Sequence, residues 1–194
     1  MIGFRLIYEG ELLSAQADGD AVRRNKHAIR KQLHVQLKEL WKQNMMLQSI
    51  KNTPPARGWS GESGLRQDAE KYKRGDYEFI PLVTSRFYLV CSLDILFLRR
   101  EAPGSIVQGG DIDNRIKTLF DGLRLPEGNL DITETITEDE KPFYCLLQDD
   151  RLIVEAKITT DRLLKPTMID AGKHKAFDVV LVIGVELKQT TRLW

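Results

Sequence analysis

Residues 109–123 read GGDIDNRIKTLFDGL, with Asp111 and Asp113 one residue apart at the point where a helical pattern begins. One carboxylate at the end of an irregular segment and another in a first helical turn can aim hard oxygen donors at a shared divalent ion. Lys117 stands four residues after Asp113, one turn along the same helix face. A second acidic pair, Asp149 and Asp150, precedes the strand-like run RLIVEAK, an element end where side chains can converge on the first pair. Three carboxylates and a lysine suit metal-assisted phosphodiester hydrolysis: the metal acidifies a water and takes up phosphate charge, and the ammonium neutralises or orients the phosphate. The same residues also have a purely structural reading. Aspartate caps helices, Asp113 and Lys117 can form an i,i+4 ion pair, and Asp149 and Asp150 can be a turn before a strand.

The elements that must position these groups follow from periodicity. GFRLIY near the start alternates as a first strand, which GELLSA either extends or turns back on. Val22, Ile29, Leu33, Leu37, Leu40 and Leu47 recur at helical spacing and mark one stripe of a long amphipathic helix. Its other face is basic: residues 22–42 carry Arg23, Arg24, Lys26, Arg30, Lys31, Lys38 and Lys42 against Glu39 alone. KNTPPARGWSGESG cannot continue that helix and reads as an exposed loop, with Arg57, Trp59, Lys71, Tyr72, Lys73 and Arg74 as candidate DNA contacts. RFYLVCSLDILFLRR, residues 86–100, is one long strand or two with a bend. In the motif helix Ile112, Ile116, Leu119, Phe120 and Leu123 share a face, and Gly122 and Pro126 close it. An acidic stretch, FYCLLQDD, RLIVEAKITTD and FDVVLVIGVEL complete the chain. The expected fold is a single α/β domain, a mixed sheet with antiparallel members packed on the basic helix and the shorter motif helix; apparent hairpin adjacency of the last two strands argues for the antiparallel members.

Composition narrows the chemistry. With 194 residues, 42% hydrophobic, one core is the default. A net charge of +1 gives no bulk attraction to nucleic acid, so local clusters must carry any such argument. The residues 127–140 hold Glu127, Asp131, Glu134, Glu138, Asp139 and Glu140 without a cation. Cys91 and Cys145 form no CxxC pair, and His27, His34 and His174 are scattered, which leaves neither a zinc site nor a Cys/His nucleophile and points to a reducing compartment. The N-terminus is too short and polar for a signal peptide and no apolar run nears the roughly 18 residues of a membrane span, so a cytoplasmic location is expected.

DIDNRIKTLFDGL followed by LLQDDRLIVE resembles the RusA-like Holliday junction resolvases, whose signature is DxDN, a helix with a lysine and a phenylalanine, and a further acidic pair before a strand. The match runs through Asp111, Asp113, Asn114, Lys117, Phe120, Asp121 and Leu123 and resumes at Asp149 and Asp150. The resemblance implies a RusA-like homodimer that cuts four-way DNA junctions by paired nicks with Mg2+ or Mn2+. It implies Asp111, Asp113 and Asp150 as metal ligands and Lys117 as the catalytic lysine, with Asp149 the weaker of its pair and Asn114 a supporting hydrogen bond. Arg23, Arg24, Lys26, Arg30, Lys31, Arg57, Lys73 and Arg74 are the expected DNA contacts, giving affinity and salt dependence without base readout. Two other functions stay in view: a DNA-binding or interaction protein of this fold that does not cut, and a nucleotide phosphotransferase using DxD for a metal-bound diphosphate. The chain departs from the family in loop insertions near 52–75 and 125–145, and the acidic residues 127–140 are expected beside the cutting site, where they would limit which DNA enters.

Overall fold

The computed structural model describes residues 2–52, 71–100, 111–164 and 178–190. It is a mixed α/β arrangement. Strand β1 (Ile2–Glu11) leads to helix α1 (Gly19–Gln43) and helix α2 (Met45–Asn52), then β2 (Phe79–Val83), β3 (Leu89–Arg99), helix α3 (Asp111–Leu123), β4 (Phe143–Leu147), β5 (Ile153–Arg162) and β6 (Asp178–Gln189). Short 3-10 turns lie at Ser85–Phe87, Asn129–Asp131, Glu138–Glu140 and Asp150–Leu152.

The main sheet has the order β1-β6-β3-β5. β6 runs antiparallel to both β1 and β3, while β5 lies parallel to β3. Antiparallel members are therefore present, but not through a C-terminal hairpin: β6 is inserted between β1 and β3, and β5 pairs with neither β6 nor β1. The alternation of β1, β3 and β6 turns Leu6 and Tyr8, Leu93, Ile95 and Phe97, and Leu181, Ile183 and Val185 to one face. That face packs on Ile29, Leu33, Leu37 and Trp41 of α1 and Ile116, Leu119 and Leu123 of α3, which together make the principal core.

Helix α1 starts at Asp18, whose carboxylate accepts from the Ala21 amide at 2.9 Å. Its buried stripe holds Val22, Ile29, Leu33, Leu37 and Trp41, with Leu40 half-buried. Leu47 does not belong to this helix. The chain breaks at Asn44, whose side-chain oxygen accepts from the amides of Met46 (3.0 Å) and Leu47 (3.2 Å) and so starts α2. Residues 86–100 resolve into one strand after a 3-10 turn.

The sequence pattern missed β2. Phe79–Val83 is wholly buried and pairs parallel with the equally buried β4, so neither strand alternates, as expected when both faces are covered. The pair packs on α1, where the His34 ring stacks on Phe143 at 4.4 Å and His34 Nδ1 accepts from the Tyr144 amide at 2.8 Å. A second small core of Tyr72, Phe79, Leu125, Ile136, Phe143 and Cys145 lies beneath the acidic stretch. Tyr72, expected to contact DNA, is 4% exposed here and donates to Gln148 Oε1 at 3.1 Å, so its ring is a core residue.

Among the described residues no helix is long and apolar enough to cross a membrane.

Candidate functional site

Helix α3 is held from both ends. Near its start the Asn114 carbonyl accepts from the Ala15 amide at 3.2 Å, tying it to the segment after β1. At its end Arg30 of α1 donates from Nε to the Arg124 carbonyl (2.9 Å) and from Nη2 to the Asp121 carbonyl (2.7 Å). A guanidinium is well placed there, because the last carbonyls of a helix have no partner within it and carry the negative end of its dipole. Arg30 is 3% exposed. The expectation of Arg30 as a phosphate contact is thus corrected: its helical phase is that of the apolar stripe.

Gly122 does not stop the helix, which runs through Leu123. It lies where α3 meets α1, and a Cβ there would come within 2.9 Å of Ile29 Cγ2.

With Ile116, Leu119 and Leu123 turned into the core, Asp113 and Lys117 face solvent. No ion pair joins them among the described residues. The turn Asp150–Leu152 packs against α3 and β3, which brings the second acidic pair to the helix carrying Lys117. Between them opens a cleft of about 520 Å³ lined by Ala15, Lys26, Lys117, Asp121, Arg124, Glu127, Asp149, Asp150 and Arg151.

Four cations and four anions line this cleft, and pairing sorts them. Asp121 meets Lys26 Nζ at 2.6 Å and Arg124 Nη2 at 3.0 Å; Arg124 also pairs with Glu127. Burial opposes ionisation of Asp121, but its two cationic neighbours outweigh it and hold the carboxyl below its usual range. Asp149 takes Arg151 in a two-pronged pair, Nε to Oδ1 at 2.9 Å and Nη2 to Oδ2 at 3.0 Å. The Arg151 guanidinium holds the Asp149 carboxyl well below the ordinary range, at about 2. Lys117 and Asp150 enter no ion pair among the described residues. Asp150, exposed, sits beside the Asp149–Arg151 pair and interacts with both, which leaves Lys117 as the lining cation outside any such pairing among the described residues.

The structure therefore brings together Lys117, Asp149 and Asp150. Asp113 lies one turn before Lys117 and is not among the residues lining the cleft. Asp111 opens α3, but its side chain lies outside the described residues, so the three-carboxylate set is described only through Asp113 and Asp150. Among the described residues no three His, Cys, Asp or Glu side chains gather as a metal-holding group. Arg124 and Arg151, which sequence spacing did not single out, line the cleft because each sits three or fewer residues from an acid that fixes its direction.

The expected DNA contacts divide. Arg24 and Lys73 are exposed, Arg23 pairs with Asp20, and Lys26 belongs to the cleft. Arg74 donates to the carbonyls of Pro126 (3.0 Å) and Lys73 (2.9 Å). Arg57 and Trp59 lie outside the described residues. The acidic stretch is only partly beside the cleft. Glu127 lines it, but Glu134 and Glu140 reach Lys31 of α1 at 3.1 and 3.6 Å, and Lys38 donates to the Asp139 carbonyl.

Compared with models of protein families, with curated proteins and with solved structures, the chain matches none.

Proposed function

We propose that the chain is a metal-dependent endonuclease of the RusA-like kind, acting as a homodimer on branched DNA and cutting it by paired nicks. The observation that carries this reading is the charge pairing in the cleft: among the described residues six of its eight charged side chains join in ion pairs, Lys117 enters none, and Asp150 stands exposed beside the Asp149–Arg151 pair. Lys117 and Asp150 are two of the residues that the motif resemblance implies for catalysis.

The donors fit a hard divalent cation. Asp113 and Asp150 are exposed carboxylates, the ligand chemistry of Mg2+ or Mn2+, and no sulfur or imidazole competes among the residues lining the cleft. Asp111, Asp113 and Asp150 would hold such an ion, which when bound supplies an acidified water and charge compensation at the phosphate. Lys117 Nζ, which has no ion-pair partner among the described residues, binds a non-bridging phosphate oxygen and sets the backbone in the cleft without giving up its proton. Asp149, fixed by Arg151, orients the turn that presents Asp150. Lys26 and Arg124 keep Asp121 from competing for Lys117. A two-fold dimer offers two such clefts to the two equivalent strands of a junction.

The test is direct. Purified protein is incubated with a synthetic four-way junction or a linear duplex, with magnesium, beside Asp113→Asn, Lys117→Ala and Asp150→Asn. Symmetric junction nicks that all three substitutions abolish are expected. Junction binding without cutting by the wild type identifies a non-cutting DNA-binding protein, and cleavage that survives Asp113→Asn and Asp150→Asn refutes the site.

A further inference from the structure

The acidic stretch lies on the basic helix, with two carboxylates on Lys31 and a backbone carbonyl on Lys38. Lys31 Nζ is 3.1 Å from Glu134 Oε2 and 3.6 Å from Glu140 Oε1, and Lys38 donates to the Asp139 carbonyl one heptad further along α1. Glu140 is itself aimed: its Oε2 accepts from the Thr137 amide (2.9 Å) and hydroxyl (3.0 Å). The stretch is anchored by Ile136, 2% exposed in the small core with Tyr72 and Phe143.

From these contacts we infer that Glu134 and Glu140 occupy, on Lys31 of α1, the place of a nucleic-acid phosphate, with the Asp139 carbonyl on neighbouring Lys38, so that duplex binding along this face must displace them. This rests on the DNA reading above and concerns its regulation. The strengths favour exchange at the charges rather than lifting of the whole segment. The exposed Glu134 carboxylate on Lys31 is worth about 0–1 kcal/mol, whereas burying a side chain such as Ile136 is worth about 1.5–3 kcal/mol. The Glu134 carboxylate swings off first, the Glu140 contact with Lys31 parts next, and Ile136 stays seated. A lysine already neutralised by its own chain releases fewer counterions when DNA arrives, so the contact weakens sequence-independent binding and makes it less steep in salt.

The experiment reads binding alone. Fluorescence anisotropy of a labelled 25-base-pair duplex and of a four-way junction is followed against salt in EDTA, where metal-dependent cutting plays no part. Glu134→Gln/Glu140→Gln is compared with Glu138→Gln/Glu155→Gln, which changes net charge equally at carboxylates that do not touch α1: Glu138 pairs with Lys141 and Glu155 with Lys188. The first variant is expected to bind the duplex roughly three- to tenfold more tightly, with a steeper salt slope, and the second to move less than about twofold. Adding Lys31→Ala/Lys38→Ala to the first variant is expected to cancel the gain. Equal affinities for the two Glu variants, or a gain that survives loss of both lysines, overturns the competition and leaves the nuclease reading standing. Failure of every protein to bind either DNA, with thermal melts showing all of them folded, overturns the DNA reading and this inference with it.

Discussion

Gly122 of α3 and Ile29 of α1 meet so closely that a Cβ on Gly122 would stand 2.9 Å from Ile29 Cγ2 and 3.0 Å from Ile29 Cβ. Those atoms belong to a fully buried β-branched stem that cannot rotate aside. Alanine is otherwise the better helix residue by about 1 kcal/mol, but overpacking a filled contact costs about 1–3 kcal/mol. Gly122→Ala is therefore expected to lower stability by about 1 kcal/mol, seen as a reduced urea midpoint at unchanged slope. A raised midpoint would show that the two helices separate freely.

Glycine ahead of a proline reads in sequence as a helix stop, and only the crossing of α1 shows why position 122 has no side chain. The same limit runs through the fold. β1, α1, β3, α3 and β6 are legible because period 2 and period 3.6 are local properties of the chain, and β5, exposed along nearly its whole length, is legible from its branched residues. β2 is not, since burial on both faces erases the alternation, and the placing of β6 between β1 and β3 is a long-range choice. In the site, the spacing of Asp113, Lys117 and the 149–150 pair is readable. Which acid of that pair is engaged depends on how Arg151 folds back, and the docking of Glu134 on Lys31 spans 103 residues.

Arg30 looked like one cation among seven on a basic helix, yet it caps α3. Arg30→Ala removes a charged donor from two carbonyls and opens a void, so a loss of roughly 2–4 kcal/mol is expected by chemical denaturation. The folded fraction of this variant should keep the wild-type salt slope for DNA, because the buried guanidinium releases no counterion. A slope reduced by about one unit would instead make Arg30 a phosphate contact.

The two acids before β5 should separate in activity. Asp150→Asn is expected to cost roughly a hundredfold or more in junction cleavage, and Asp149→Asn no more than about tenfold, acting through the turn it holds. Steady-state cleavage at saturating junction measures both. Equal losses would show that Asp149 gives up Arg151 when substrate binds. Asp149 also has its own acid signature: a carboxyl depressed to about 2 stabilises the fold above the unfolded value near 3.9, and this contribution fades as pH falls towards 2.

Both cysteines are buried, and burial pushes each thiol up to about 12. At pH 8 hardly any thiolate exists, and neither sulfur is reachable. Native protein is expected to resist a disulfide reagent such as dithionitrobenzoate for hours and to yield two equivalents once unfolded in guanidinium. Rapid labelling of one equivalent would reveal that β3 or β4 opens locally.

Acid should weaken the fold before its carboxylates begin to protonate. His27 and His34 are 2% and 1% exposed, and burial lowers each from 6.5 to about 4. His27 Nε2 has no hydrogen-bond partner among the described residues, and His34 Nδ1 accepts from the Tyr144 amide, a bond that a proton on that nitrogen would break. Between pH 6.5 and 4 the unfolded chain therefore binds more protons than the folded one, so stability falls as pH falls through this window and levels off, for these groups, below it. The expected loss is up to about 3 kcal/mol for each imidazole, a Tm drop on the order of 10 °C or more for a chain of this size. His34→Asn, which cannot gain a proton in this range, should flatten the profile while starting from a lower Tm at pH 7. A Tm constant from pH 7 to 4.5 in the wild type would mean that the imidazoles take up protons as readily in the fold as in the unfolded chain, with Asp139 and Glu140 offsetting their burial.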